Sequence, residues 1–469
     1  ANGDPIFDLR PVWLAGPSTV AQIFPRRPVF DVVIFDEASQ CRLEEALPSL
    51  LRGRRVVIAG DPKQLPPTRF FETAVSTTDD DADIEQDMFE RQQSEVDDLL
   101  TAALNLPVEQ TYLDVHYRSR NADLIEFSNA SFYHGRLQPI PGHPANKPRQ
   151  SPLRLHTVNG VYENRENPAE AERVVGFVKE LLKRSEPPSI GIACFNLKQR
   201  DRISDALDAA AADDPAFAEK LAAARDRWRN GSFEGLFIRN LENVQGDERD
   251  YIIISTTYGP TADGRFYRRF GPLGRAGGGR RLNVLATRAR EEAHIFTSIP
   301  REVYAVADPV PDGVQPNGVW HLFSYLRYAD ALQSLYAPDA SSTKDAPSPE
   351  IRLHIRPTRT PSRFAEAFAK RLLTREQPSA AYWGNDGFCV DVALNHPHRR
   401  DDSTIGVLID ASRYDRASDR ADWDVFRTAI LKSQGWTLKR LWTPHIIRDL
   451  PGALRSVELA AIDFIANDA

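Results

Sequence analysis

The 469-residue sequence has no GxxxxGK[ST] run, the turn whose backbone amides and lysine cradle the β- and γ-phosphates of a nucleoside triphosphate. Its glycine-rich stretches, at Gly60 and at residues 277–279, lack the Lys-Ser/Thr pair. No apolar run approaches the roughly 18 residues of a membrane span, and there is no signal peptide, so no membrane partner is expected. Cysteine is scarce: Cys41, Cys194 and Cys389 are far apart, with neither CxxC nor Cys/His spacing. That argues against a disulfide framework or a zinc site and fits a reducing cytoplasm. Met88 is the one methionine and the chain starts at Ala1, which reads as a fragment or processed segment of a longer product.

A hydrophobic content of 41% with 27% charged residues describes a globular chain. At about 150 residues per domain there is room for roughly three. The formal net charge of −7 argues against a uniformly basic coat, but it conceals an asymmetry. Residues 79–98 hold ten acids and one arginine, whereas residues 265–290 hold eight arginines and no acid. For a polyanionic partner, local charge outweighs the total.

Four blocks follow one another in order: DEASQ at 36–40, GDPKQLPPT at 60–68, ENVQGDERD at 242–250 and RLNVLATRAR at 281–290. Residues 32–35 and 56–59 read as short buried strands that deliver Asp36-Glu37 and Gly60-Asp61 at their carboxyl ends. Open α/β sheets build sites there. Residues 72–98 read as an acidic, solvated insertion. A second α/β unit begins near Pro107, with β-rich runs at 190–195 and 251–256 and an Ala-rich helical insertion over 203–228 broken near Pro215. Residues 337–350 are a linker by composition, and 351–469 a separate domain.

Each block suits phosphoryl transfer. A carboxylate to hold Mg²⁺ and a base to orient water suit Asp36 and Glu37. An amide that touches both the γ-phosphate and the attacking water suits Gln64, on a loop stiffened by Pro62, Pro66 and Pro67. Cations for charge developing in the transition state suit Arg118 and Arg288. Taken singly, an Asp-Glu pair after a strand is more often a helix cap; it is the ordered set that points to nucleotide chemistry. Arg268 and Arg269 beside Tyr267, with Phe266 and Phe270 interleaved, offer cations and π-faces for a single strand, a solvated loop being the alternative.

Residues 10–330 resemble superfamily 1 helicases of the up-frameshift type, and more narrowly large bacterial proteins that end in a nuclease-like domain. DEAS matches motif II and GDPKQLPPT motif III. HYRSR (116–120) with FSNASFY (127–133) matches the motif IV region, NVQGDERD motif V and RRLNVLATRAR motif VI. The resemblance implies an α/β fold with a partial first RecA-like lobe over 1–106 and a complete second lobe over 107–336, a parallel sheet with flanking helices. It implies Mg²⁺ at Asp36, a catalytic base at Glu37, γ-phosphate sensing by Gln64 and arginine fingers at Arg118 and Arg288. Gln245, Gly246 and Glu248 would couple ATP to nucleic acid. The family's P-loop and the first strands of its first lobe have no counterpart in these residues.

The C-terminal domain has a helix, strand, strand, helix, strand order: 364–372, 387–394, 405–410, 422–431 and 435–442. This resembles the restriction-endonuclease-like core of very-short-patch-repair nucleases, which hold Mg²⁺ on carboxylates of adjacent strands. Asp391 and Asp410 stand at ligand positions, but Leu408 and Ala411 replace the expected Glu and Gly, and Asp415 an expected His. That favours a degenerate, DNA-binding or structural domain over an active nuclease.

Two functional classes remain. One is the C-terminal portion of an ATP-driven translocase on single-stranded or partly duplex nucleic acid, DNA favoured over RNA, with its P-loop supplied by a missing N-terminal segment or a partner chain. The other is a nucleic-acid-binding or assembly module without turnover. Retention of Glu37 and Arg288 favours the first.

Overall fold

The computed structural model describes residues 7, 9–67, 98–140, 150–274, 277–306, 308–310, 314–336, 362–385, 388–397, 403–410 and 425–468. The acidic insertion (but for Asp98) and the linker 337–350 lie outside these. The chain divides into two compact units, Ala1–Tyr112 and Leu113–Ala469.

In the first unit β1 (Phe30–Phe35) and β2 (Gly53–Ile58) run parallel, in a register that pairs Phe35 with Ile58. Phe35, Ala38, Ala46, Leu99 and Leu100 form a small core. Arg52, 1% exposed, ties the segment together, its guanidinium donating to the carbonyls of Phe24, Ala21 and Pro48. The strands are not the buried ones expected from their Val/Ile content: Ile34 is 68% and Val57 49% exposed. Parallel strands need cover on both faces, and among the described residues of this unit two strands with short helices do not provide it.

The second unit opens with the short parallel pair β3 (Val115–His116) and β4 (Gln138–Pro139). A five-stranded all-parallel sheet follows, built from β5 (Leu153–Thr157), β6 (Ile190–Cys194), β9 (Phe237–Asn240), β10 (Arg249–Ser255) and β11 (Ala289–Thr297), in the order β5-β11-β10-β6-β9. A small hairpin, β7 (Trp228–Arg229) with β8 (Ser232–Phe233), precedes β9. Because side chains alternate along a strand, Ile252 and Ile254 of β10 join one core with Leu282, Leu322 and Leu326, and Tyr251 and Ile253 join another with Val174, Val178 and Leu207. Helices therefore cover both faces, as in a doubly wound sheet. The Ala-rich insertion forms helices Leu197–Asp213 and Pro215–Arg225. Its break follows from Pro215, which lacks an N–H but fits the first helical position, behind Asp214, whose carboxylate accepts the Phe217 N–H.

The C-terminal domain carries β12 (Ser379–Asn385), β13 (Phe388–Asn395), β14 (Ser403–Asp410) and β15 (Leu438–Trp442) in that spatial order, antiparallel except for β14 with β15. Helices Arg363–Leu373 and Leu450–Asp468 pack through Phe368, Leu372, Leu454 and Val457 onto Val392, Val407 and Ile409. β12 is a strand that the order read from the sequence lacks. Its Ser-Ala-Ala start carries little hydrophobic alternation, and it forms because β13 offers it a full antiparallel register. The helix expected over 422–431 is described as Arg427–Ser433; Ala411, Tyr414, Asp415 and Asp422 lie outside the described residues.

Candidate functional site

In the first unit the loops after β1 and β2 leave the same end of a parallel pair. Asp36 accepts the Glu37 N–H at 2.9 Å through Oδ1, and Glu37 accepts from Gln40 Nε2 at 3.1 Å. Glu37 has φ 52° and ψ 41°, a left-handed conformation sparsely populated by non-glycine residues and often found at functional positions. In the second loop Asp61 accepts the Lys63 N–H at 2.8 Å and the Gln64 side-chain amide at 3.1 Å, which fixes Gln64 on the Asp61-Pro62 turn. The loops approach closely, since a Cβ on Gly60 would stand 3.1 Å from the Ala38 and Ser39 nitrogens. Asp36, Glu37 and Gln64 thus share one end of the β1-β2 layer, with both carboxylates exposed.

In the second unit three distant segments converge. Arg118 Nε donates to Glu248 at 2.5 Å, and its Nη1 lies 3.4 Å from the Thr287 carbonyl. Ser119 Oγ donates to the Ala289 carbonyl at 3.0 Å, and the Arg120 N–H to the Arg290 carbonyl at 2.8 Å. The HYRSR segment is thereby stitched along the TRAR segment. Arg288 is 2% exposed, its guanidinium folded onto the Val284 carbonyl at 2.7 Å and Thr287 Oγ1 at 2.8 Å. It sits at the carboxyl end of helix Gly278–Ala286, where a cation is favoured. Burial, reinforced by Arg118 and Arg288, lowers His116 to about 4. The ring is then neutral at pH 7, consistent with Nε2 accepting the Ser119 N–H at 3.2 Å. Gly246 has φ +85° with open space around it, so glycine is needed there for backbone conformation. Gln245 is half-buried beside it.

Two sets of residues in this unit were not singled out in the sequence. Arg290 donates to Glu234 at 2.6 Å and pairs with Asp250 at 3.0 Å, with Glu248 at 3.8 Å. Glu170, fully buried, accepts from Ser255 Oγ, the Thr257 N–H and the Ser298 N–H, while Asn167 Nδ2 donates to the Thr257 carbonyl. Thr257 has φ 68°, so the clamp holds a strained residue just past β10. Burial raises Glu170 to about 7 against these hydrogen bonds. A hint was available: Glu170 interrupts the apolar stripe of the helix Pro168–Leu182.

The arginine-rich stretch is less free than its composition suggests. Arg265 pairs with Asp263 at 3.4 Å, Arg268 with Asp308 at 2.9 Å and Arg281 with Glu242 at 3.2 Å. The Arg268 guanidinium also lies 5.4 Å from the Phe323 ring centre. Phe270, expected among the stacking rings, is instead core, 2% exposed and edge-on to Tyr258 and Phe323. Its size is used to fill the space under the loop. Tyr267, 51% exposed, and Arg269 face solvent.

In the C-terminal domain Asp391 is 4% exposed, its Oδ2 accepting the Ile409 N–H at 2.7 Å and Arg427 Nη2 at 3.3 Å. Leu408 is 4% exposed in an apolar cluster with Val390, Leu431 and Trp436. Asp410 ends β14 opposite Trp442 of β15. A carboxylate already engaged by a buried guanidinium and a peptide N–H, beside a leucine, is a poor donor set for Mg²⁺, which needs charged oxygens. Among the described residues no group of three or more His, Cys, Asp and Glu side chains could hold a metal, and no helix is long and apolar enough to cross a membrane.

Two AAA-domain family models match the chain, over residues 16–72 and 84–299, and a restriction-endonuclease model, REase_MTES_1575, matches residues 364–460. A protein of Mycoplasma pneumoniae named as an uncharacterized ATP-dependent helicase is 30% identical over 450 residues, 92% of this chain and 37% of the relative. Its namesake in Mycoplasma genitalium is 34% identical over 328 residues, 69% of this chain and 28% of the relative. The regulator of nonsense transcripts 1 homolog of Arabidopsis thaliana is 28% identical over 56% of this chain and 19% of its own length. The chain thus spans about a third of the length of the two Mycoplasma relatives. It carries helicase-family AAA domains joined to a restriction-endonuclease-like domain, and is homologous to proteins named as ATP-dependent helicases.

Proposed function

We propose that this chain is the C-terminal portion of an ATP-dependent helicase or translocase on nucleic acid, completed by a P-loop supplied from outside these 469 residues. The observation that carries the reading is the sorting of charge between the units. Asp36, Glu37 and Gln64 share one strand end in the first, and Arg118, Glu248 and Arg288 converge from three segments of the second. Phosphoryl transfer needs a carboxylate for the metal, a water-orienting group and cations for the transition state. Asp36 is exposed and suits Mg²⁺ held jointly with ATP; the P-loop would supply the remaining phosphate contacts. Uncovered Ile34 and Val57, paired on one face of the sheet, are where covering helices of a first RecA-like lobe would pack.

The nucleic acid would be single-stranded or partly duplex, DNA favoured, gripped through backbone and bases by exposed Tyr267 and Arg269, with Arg268 contributing after leaving Asp308. The nuclease-like domain does not cut, because Arg427 occupies the charge environment of Asp391 that a metal would need. The test is ATP turnover by the 469-residue chain alone and with the upstream segment restored. Negligible turnover alone and strand-stimulated turnover after restoration support the reading; vigorous Glu37-dependent hydrolysis by the isolated chain overturns it.

A further inference from the structure

The face of the C-terminal sheet that carries Leu408 is closed by a residue from outside that domain. Ile140, 3% exposed, packs in one apolar cluster with Val390, Leu408, Leu431 and Trp436, and Val115 packs against its edge. Ile140 directly follows β4, and its N–H donates to the His116 carbonyl at 3.1 Å. One residue further along, the Tyr117 carbonyl accepts from Gln434 Nε2 of the C-terminal domain at 3.2 Å. The next residue is Arg118. Its backbone is therefore held on one side by the C-terminal domain, through Ile140 and Gln434, and on the other by Ser119 and Arg120 bonding to the start of β11.

We infer that the nuclease-like domain works as a clamp that fixes the Arg118-bearing segment, with Ile140 and Gln434 as positioning residues for that arginine. The leucine that stands where the nuclease resemblance expects an acid then has a use, since a charged residue at 408 would enter the cluster Ile140 occupies. A buried apolar plug is directionless, whereas the Gln434 bond fixes register along the strand. Together they determine where the Arg118 guanidinium starts. A one-ångström displacement of a charge-stabilising group can cost about a hundredfold in rate. The consequence for turnover rests on the ATPase reading above; the clamp itself does not.

Hydrogen exchange on the 469-residue chain tests it, with residues 115–120 read against β10 as an internal reference. Ile140→Asp and, more mildly, Gln434→Ala should raise exchange across 115–120 by about tenfold or more while β10 stays protected; Ile140→Val should behave as the parent. In the ATP-hydrolysing assembly with the P-loop segment, Gln434→Ala should lower kcat about tenfold with KM for ATP unchanged, and add little in an Arg118→Ala background. Unchanged exchange at 115–120, or a fully additive loss with Arg118→Ala, overturns the clamp. An assembly without turnover in the unsubstituted chain overturns the ATPase reading instead, and the exchange comparison then decides the clamp alone.

Discussion

Two aspartates end up in opposite circumstances. Asp36 follows a strand of the first unit, exposed, its carboxylate accepting the neighbouring Glu37 N–H. Asp391 lies within a strand of the C-terminal sheet, buried against Arg427 and the Ile409 N–H. One is open to solvent, whereas the other already has its counter-cation. The lesson is that an acid at a motif position is a ligand only where packing leaves its lone pairs unclaimed, because a buried carboxylate without a partner is too costly to keep.

The largest effect that could break this contrast is in turnover. With the P-loop segment supplied, Glu37→Gln or Arg288→Ala should reduce strand-stimulated ATP hydrolysis by about 10³-fold or more, the range for a lost charge-stabilising group. A loss below tenfold for both would place them outside the reacting centre. Next, Asp391→Ala should destabilise the C-terminal domain by about 3–5 kcal/mol, because the buried Arg427 guanidinium loses a carboxylate partner. The same domain should show no Mg²⁺-dependent cleavage of duplex or single-stranded DNA. Cleavage by the parent chain, abolished by Asp391→Ala, would put the two aspartates in one class after all.

A smaller effect is expected in pH dependence. His116 is held near 4 in the folded chain, first by burial and then by Arg118 and Arg288, against an ordinary value of 6.5; burial holds His321 near 4 as well. With folded values below unfolded ones, the stability these groups contribute is present above pH 6.5 and lost as pH falls toward 4. Urea midpoints should drop across that window, and His116→Gln should shallow the drop. The smallest expected change concerns strand binding. Replacing Arg269 should flatten the salt dependence by about 0.7, one phosphate contact. Arg268→Ala should add less, since Arg268 is already paired with Asp308. Equal slopes for both would mean that the Asp308 pair opens freely on binding.

The shared strand end of the first-unit motif residues was legible because they are strand-end blocks, and the carboxyl end of a parallel strand is an open position whatever packs around the sheet. Asp36, Glu37 and Gln64 could be placed beside one another from the two loops alone. The Ala-rich helices and their break at Pro215 were legible for the same local reason. Burial of β1 and β2 was not, since Val and Ile signal a strand without revealing how many neighbours cover it. Nor was the paired state of the 265–290 arginines, whose acids at Asp308 and Glu242 lie outside that run.

The sequence by itself determined the order of the motifs, the absence of a GxxxxGK[ST] run, and the period of the strands that make an α/β chain, because these depend on neighbours within a few residues. Only the tertiary structure decided which charges are spent on one another. Arg427 against Asp391, Glu170 beneath Thr257 and Gln434 on the Tyr117 carbonyl are separated by 36, 87 and 317 residues. Their pairing depends on which elements pack together, and the cost of burying an unpaired polar group makes that packing selective.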